Sequence, residues 1–157
     1  EITTRLVGSE MCIRDSLRAI TAENFDAILG LQVGVDQREL VCSNAESIAQ
    51  AYVQPECIPL AIYAVDTPVG FAMYCVDRDD NEWWLYRLMV EETYQGRGYG
   101  RAALQKLLEL VQADRSRHRM YLGVDLTGKA SVRLYQSLGF RFDGRVFGKE
   151  HIMVLEY

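Results

Sequence analysis

Residues Val90–Leu104 read VEETYQGRGYGRAAL. Three glycines, Gly96, Gly98 and Gly100, fall on alternate positions, with Arg97 between the first two and Arg101 after the third. The apolar, aromatic-rich run WWLYRLMV, Trp83–Val90, comes just before. Leu104, Leu107, Leu108 and Val111 follow at helical spacing. The pattern predicts a strand, a glycine turn and the start of a long helix near Gly98. Glycine tolerates positive φ and lets the backbone approach a ligand closely. A helix N-terminus adds unpaired N–H groups and a partial positive charge. Two arginines add charge and paired donors. Together these parts describe a seat for an anion, best of all a phosphate.

Two familiar phosphate loops do not fit. A P-loop closes on Gly-Lys-Ser/Thr, but Gly100 is followed by Arg101 and Ala102, so the hydroxyl for Mg²⁺ is missing. Gly98–Ala103, GYGRAA, does match G-x-G-x-x-A. In a dinucleotide-binding unit, however, that fingerprint joins its strand directly. Here Glu91–Gln95 intervene, and hairpin-like strands precede the site.

Upstream, Leu17–Ile20 reads as a short strand. Thr21 reads as a cap for a helix carrying Phe25, Ile28, Leu29 and Gln32 to about Val33. Ser43 or Asn44 is suited to cap a second helix over about Ala45–Tyr52, closed by Pro55 and Pro59. Leu60–Val65, Val69–Val76 and Trp83–Val90 follow as strands, separated by the turns at Asp66–Pro68 and Asp77–Glu82. Downstream, Met120, Leu122 and Val124 alternate as a strand. Leu134, Tyr135 and Leu138 mark a helix stopped at Gly139, and Phe140, Phe142 and Val146–Leu155 close the chain as strands. The order βααβββαβαββ predicts one α/β domain: a mixed, mostly antiparallel twisted sheet with helices on both faces.

The length of 157 residues suits a single domain, assigned to residues 16–157. Residues 1–15 fit it poorly. VGSEMCIRDS, Val7–Ser16, has the look of a translated sequencing adapter, so residues 1–15 are read as a foreign, poorly packed arm, with a genuine short arm as the alternative. No apolar run approaches membrane-spanning length, and no basic-then-apolar leader opens the chain. Cys12, Cys42, Cys57 and Cys75 show no C-x-x-C spacing and suit free thiols in a cytoplasmic protein. His118 and His151 lie far apart, and no metal-ligand spacing is visible.

Charge is divided along the chain. Asp36–Glu92 holds eleven acids and three bases, whereas Thr93–Tyr157 holds six acids and eleven bases. The middle therefore favours a cation and the C-terminal part an anion. A net charge of −5 argues against nucleic acid as the main partner.

Gln95-Gly96-Arg97-Gly98-Tyr99-Gly100 resembles the Q/R-x-x-G-x-G/A signature of the GNAT N-acetyltransferases. SVRLYQSLGF, Ser131–Phe140, resembles their segment in which a helical tyrosine precedes Leu-Gly-Phe. The resemblance spans Leu17–Tyr157. Within the superfamily, WLYRLMVEETYQGRGYG is most similar to bacterial spermine/spermidine (diamine) acetyltransferases. It implies acetyl-CoA as co-substrate and no metal. Its pyrophosphate would rest on Gln95, Gly96, Arg97, Gly98, Tyr99, Gly100 and Arg101. The pantetheine would run along the backbone of Leu88, Met89 and Val90, where one N–H would polarise the thioester carbonyl. The family often carries Asn seven residues before the tyrosine, and here that position is Gly128. A homodimer is expected by resemblance alone.

Acetyl transfer to an amine sets two proton problems. The ammonium, with a pKa of about 10, must lose a proton before it attacks, and the departing thiolate benefits from a donor. Tyr135 sits with Leu134 and Leu138, so by position alone it reads as a core tyrosine. The resemblance makes it the general acid. No histidine is placed to act as base, so a water-relayed base is the default. Period-two spacing groups Glu82, Tyr86, Leu88 and Val90 on one strand face. Glu82 and Tyr86 are thus candidates for the acceptor side, Glu82 as a water-relayed base or an amine anchor, or else as an ordinary turn carboxylate. Asp36, Glu39, Glu46 and Glu56 complete the acidic pool for a polyamine. Trp83, Trp84 and Tyr86 could stack on its methylenes. The alternatives are a peptide α-amine, an aminoglycoside, or a non-catalytic acyl-CoA-binding module.

Overall fold

A computed structural model describes residues 17–157; the arm expected over residues 1–15 lies outside them. The chain forms β1 (Leu17–Ala19), α1 (Phe25–Leu29), α2 (Asn44–Val53), β2 (Ile58–Ala64), β3 (Thr67–Val76), β4 (Trp83–Val90), α3 (Tyr99–Gln112), β5 (Arg119–Asp125), α4 (Lys129–Ser137), β6 (Arg141–Phe147) and β7 (Glu150–Glu156). Short 3₁₀ turns occupy Val35–Gln37 and Glu92–Tyr94. The strands form one sheet in the order β1-β2-β3-β4-β5-β7-β6. Every neighbour is antiparallel except β4 and β5, which are parallel.

Helices cover both faces, as the sequence predicts. Leu104, Leu107, Leu108 and Val111 of α3 and Tyr135 of α4 pack with Leu85, Met120, Leu122 and Met153. On the other face Ile28 of α1 and Ile48 and Ala51 of α2 pack with Phe71, Met73, Cys75 and Met89. The apolar stripe of α3, at i, i+3, i+4 and i+7, orients it against the sheet.

Local signals fix most element ends. Ser43 caps α2 by accepting from the Glu46 N–H, while Glu46 accepts from the Ser43 N–H, a reciprocal capping box. Gly139, at φ +99°, follows the end of α4. The first helix is shorter than its spacing predicts. It stops at Leu29, next to Gly30, and Leu31 and Val33 reach the same core from irregular chain. Gln32, the last residue of the expected helical spacing, lies exposed beyond the helix end. The expected Thr21 cap is also absent; the Thr21 N–H instead donates to the Asn24 side chain at 2.8 Å.

β4 departs from simple alternation. Met73 pairs with Arg87 and Tyr74 with Leu85, so Tyr86 is the extra residue of a β-bulge. A bulge bends its strand and resets which side chains share a face. Tyr86 therefore joins Trp84 and Met89 on the α1/α2 side, while Leu85 and Leu88 face α3 and α4. This corrects the expected grouping of Tyr86 with Leu88 and Val90, which assumed unbroken period two.

Candidate active site

The bulge coincides with an opening in the sheet. β4 pairs with β5 from Trp83–Met120 to Leu85–Leu122, and there the pairing ends. β4 continues to Val90 and β5 to Asp125 without rejoining. Beyond Leu85, the edge of β4 that faces β5 is free. Such an edge presents unpaired N–H and C=O groups to anything strand-like. A cleft of about 920 Å³ fills the gap, lined by Leu85–Val90 on one wall and Leu122–Asp125 on the other.

The glycine loop closes one side of this cleft. Gly96, Gly98, Gly100, Gln95, Tyr99 and Arg101 all line it. Gly96 and Gly98 adopt φ +75° and +85°, and a Cβ on either would meet no protein atom within 4 Å. The backbone conformation demands glycine there, yet the protein leaves the space in front empty. Gly98 is also the N-cap of α3 and offers no side-chain cap to its first N–H groups. These features fit an anionic group held by backbone N–H donors. Gly100 differs: a Cβ there would touch Val90 and Leu134 at ordinary distances of 3.6 and 3.8 Å.

Other loop residues brace the site. The Gln95 side chain donates to the Val90 carbonyl at 2.9 Å and to the Gln37 side chain at 2.7 Å. It ties the glycine loop both to β4 and to the turn that carries Asp36. Arg101 donates to the Ser137 hydroxyl, linking the start of α3 to the end of α4. The Arg97 guanidinium lies 5.7 Å from the Tyr94 ring centre, outside the lining.

Tyr135 reaches the cleft from α4 and is only 8% exposed. Its ring meets Phe140 edge-on at 6.0 Å. Its hydroxyl has no hydrogen-bond partner among the described residues. Burial, with a smaller push from the Glu150 carboxylate, raises that hydroxyl to about 12. It therefore stays protonated, as a proton donor must.

Tyr86 enters from the opposite face. Its hydroxyl donates to Asp77 at 2.6 Å, and burial followed by that bond pushes its pKa well up. Beneath it, burial raises the Cys75 thiol to about 12. Cys57 and Cys75 are buried free thiols and Cys42 an exposed one. Arg87 also lines the cleft; it donates to Gln50 at 3.0 Å, while its Nε is buried without a partner.

The acidic pool is scattered. Asp36 lines the cleft. Glu39 borders a neighbouring hollow with Lys149 and His151, Glu46 is committed to its capping box, and Glu56 meets Arg78 at 3.0 Å. Glu82 is outside the cleft lining, at the far end of β4, where Arg119 and Tyr157 feel its charge. Trp83 packs on Tyr74, and Trp84 stacks on Tyr121 at 5.1 Å; neither lines the cleft. Two carboxylates there escape sequence reasoning, Asp125 at the end of β5 and Glu150 at the start of β7; Asp125 accepts from Thr127, and Glu150 stands free of such bonds among the described residues. Only the register of β7 on β5 brings Glu150 there, so no local pattern signals it. Among the described residues, no cluster suited to a metal ion occurs, and no helix is long and apolar enough to cross a membrane.

An α/β sheet split between two parallel strands, with a glycine cradle at a helix N-terminus beside the gap, has the shape and donors to suit a long anionic ligand in extended form. Comparison with known proteins makes the class specific. Residues 25–140 match the acetyltransferase (GNAT) family, and the chain belongs to that family. It is 32% identical over 148 residues to the spermine/spermidine N(1)-acetyltransferase of Bacillus subtilis strain 168, covering 90% of this chain and 97% of that one. The crystal structure of aminoglycoside acetyltransferase AAC(6')-Ib with coenzyme A superposes at TM-score 0.75 and 17% identity, covering 90% of this chain and 94% of that one. Spermidine N-acetyltransferase from Vibrio cholerae, in complex with CoA and spermine, superposes at 0.69 and 16%, covering 89% and 94%. At such identities the two structures attest the shared fold.

Proposed function

We propose that this acetyltransferase transfers an acetyl group from acetyl-CoA to a primary amine of a polyamine or diamine such as spermidine or spermine. Attack is direct, with both substrates bound, and Tyr135 is the general acid. The observation that carries the reading is the opened seam: a free β4 edge, the Gly96–Gly98 cradle and Tyr135 all border one cleft.

The roles follow from chemistry. N–H groups of Gly96–Arg101 hold the pyrophosphate, the Gln95 N–H being taken by the Glu92 carbonyl, with Arg101 close by for charge. Gly96 and Gly98 leave it room. Backbone groups of Leu88, Met89 and Val90 hold the pantetheine arm as an added strand. The Val90 carbonyl already accepts from Gln95, so the other free groups along this edge do most of the holding. A free N–H beside the bulge polarises the thioester carbonyl. The ammonium first loses a proton to water in the cleft. The neutral nitrogen forms the C–N bond, the C–S bond breaks, and sulfur takes the Tyr135 proton. The acylated nitrogen then gives its second proton to cleft water, and the phenoxide regains a proton from water, which restores the acid. Gly128 lines the cleft where relatives often carry Asn; its N–H donates to the Asp125 carbonyl and its carbonyl accepts from Val132, so Lys129 beside it in the lining supplies the contact in place of that side chain.

The polyamine assignment is supported by the full-length similarity to the B. subtilis spermine/spermidine enzyme and by exposed carboxylates, Asp36 and Glu150, on the cleft wall. The test is thiol release from acetyl-CoA with spermidine, a peptide with a free α-amine, an aminoglycoside, or no amine. Saturable release with spermidine and little with the others is expected. Release with the peptide or aminoglycoside alone would discard the polyamine acceptor. Acetyl-CoA binding without release to any amine would discard catalysis.

A further inference from the structure

Glu150 is unassigned in this reading, and its surroundings are those of a built seat. β5 leaves β4 after Leu122, so Gly123 is the first β5 residue in the open seam. The Glu150 carboxyl lies across Gly123: a Cβ there would stand 2.6 Å from its Oε2 and 3.0 Å from its Cδ. Only the bare glycine lets the side chain lie on the strand backbone. Gly123 pairs with Ile152 and Asp125 with Glu150, so Gly123 and Glu150 point to the same face. Leu122 packs with Tyr135 on the opposite face. Tyr135 and Glu150 thus flank the start of the seam from its two sides.

The carboxylate is also uncommitted. Glu150 is exposed, lines the cleft, and has neither a hydrogen bond nor a salt bridge among the described residues. Asp125, its partner across the strands, is instead occupied by the backbone N–H and hydroxyl of Thr127. We propose that Glu150, seated on Gly123, receives the ammonium group that is to be acetylated and holds its nitrogen on the side of the seam opposite Tyr135. The inference rests on the acetyltransferase reading and assigns the attacking end of the acceptor. An anion here favours a cationic acceptor over a neutral one, and the two-sided arrangement separates the incoming nitrogen from the departing sulfur.

Two variants test it, with steady-state kinetics on the amine that the wild type turns over. Glu150→Gln is expected to raise KM for spermidine by about tenfold or more. Acetyl-CoA affinity by calorimetry and the melting temperature should hold. Gly123→Ala keeps the carboxylate but pushes it off its seat, and should raise KM in the same direction by less. Glu150→Asp should recover part of the loss. An unchanged KM in Glu150→Gln would overturn the proposal, as would an equal loss of acetyl-CoA affinity, which would mark a structural role. If the wild type acetylates an aminoglycoside or a peptide but not spermidine, the polyamine reading fails alone, and the same variants decide Glu150 on that amine. A wild type that acetylates no amine sinks both.

Discussion

The two edges of β4 behave differently. Toward β3, the ladder runs from Val76–Trp83 to Gly70–Val90, interrupted by a single bulge. Toward β5, it stops after Leu85–Leu122. The glycines echo this contrast. Gly70, on the closed side, is required by packing, since a Cβ would stand 2.4 Å from the Met89 carbonyl oxygen. Gly96 and Gly98, on the open side, are required by positive φ and face empty space. One edge of the strand is closed by pairing, and the other is open where the proposed cofactor site needs it. Substitutions on the closed side should therefore act on stability, and those on the open side chiefly on ligand binding and turnover.

The largest effect is expected at Tyr135. Tyr135→Phe removes a hydroxyl without a protein partner and keeps the ring against Phe140. Turnover should fall by about 100-fold, while acetyl-CoA affinity and melting temperature stay close to wild type. Equal turnover would remove the general-acid role. The pH profile gives a second check. With the hydroxyl raised to about 12, Tyr135 keeps its proton while the amine loses its own near pH 10. At saturating amine, kcat should rise through pH 9 with no downturn below about 10. Stability carries the same sign. The unfolded tyrosine ionises near 10 and the folded one near 12, so the contribution of Tyr135 is intact below pH 10 and falls away between the two.

Gly70→Ala comes next and acts on the closed side. The clash is with backbone, so β3 and β4 must separate, at a cost of about 2 kcal/mol. Urea unfolding should show a lower midpoint. A stability matching wild type would mean that β4 slides freely, and the contrast between its edges would dissolve.

How much of this contrast the sequence carries depends on the range of the signal. The span of β4, the glycine loop and the start of α3 are written in contiguous residues, and so is the cap of α2 at Ser43. The bulge at Tyr86 is a property of pairing with β3 and has no local mark, so period two put Tyr86 on the wrong face. Glu82 immediately precedes the same strand, but nearness to a strand says nothing of which end meets the cleft. Glu150 reads from sequence as one more residue inside the closing run Val146–Leu155, whereas the structure starts β7 at it. Its place beside Tyr135 depends on the register of β7 on β5, fixed by residues nearly thirty positions away. The helical spacing of Phe25, Ile28, Leu29 and Gln32 holds only as far as Leu29; Gln32 lies exposed beyond the helix end.

Gly98→Val tests the open side at its cradle. A β-branched residue at φ +85° is strained, and its side chain would fill the space left for the anion. Acetyl-CoA affinity by calorimetry should drop by about tenfold or more, with the strain lowering the melting temperature a little. Unchanged affinity would take the glycine loop out of the cofactor site.

The smallest effect is expected at Gly100, and it separates the two jobs that glycine does in one loop. Gly100 is the second residue of α3, and the contacts awaiting a Cβ there are ordinary. Alanine keeps the N–H and suits a helix better, so Gly100→Ala should gain up to about 1 kcal/mol of stability. Acetyl-CoA affinity should stay within about twofold. A tenfold loss would mean that the pyrophosphate presses on the Cα of Gly100. The cradle would then extend past the loop into the first turn of the helix, and the requirement for glycine at Gly100 would come from the ligand alone.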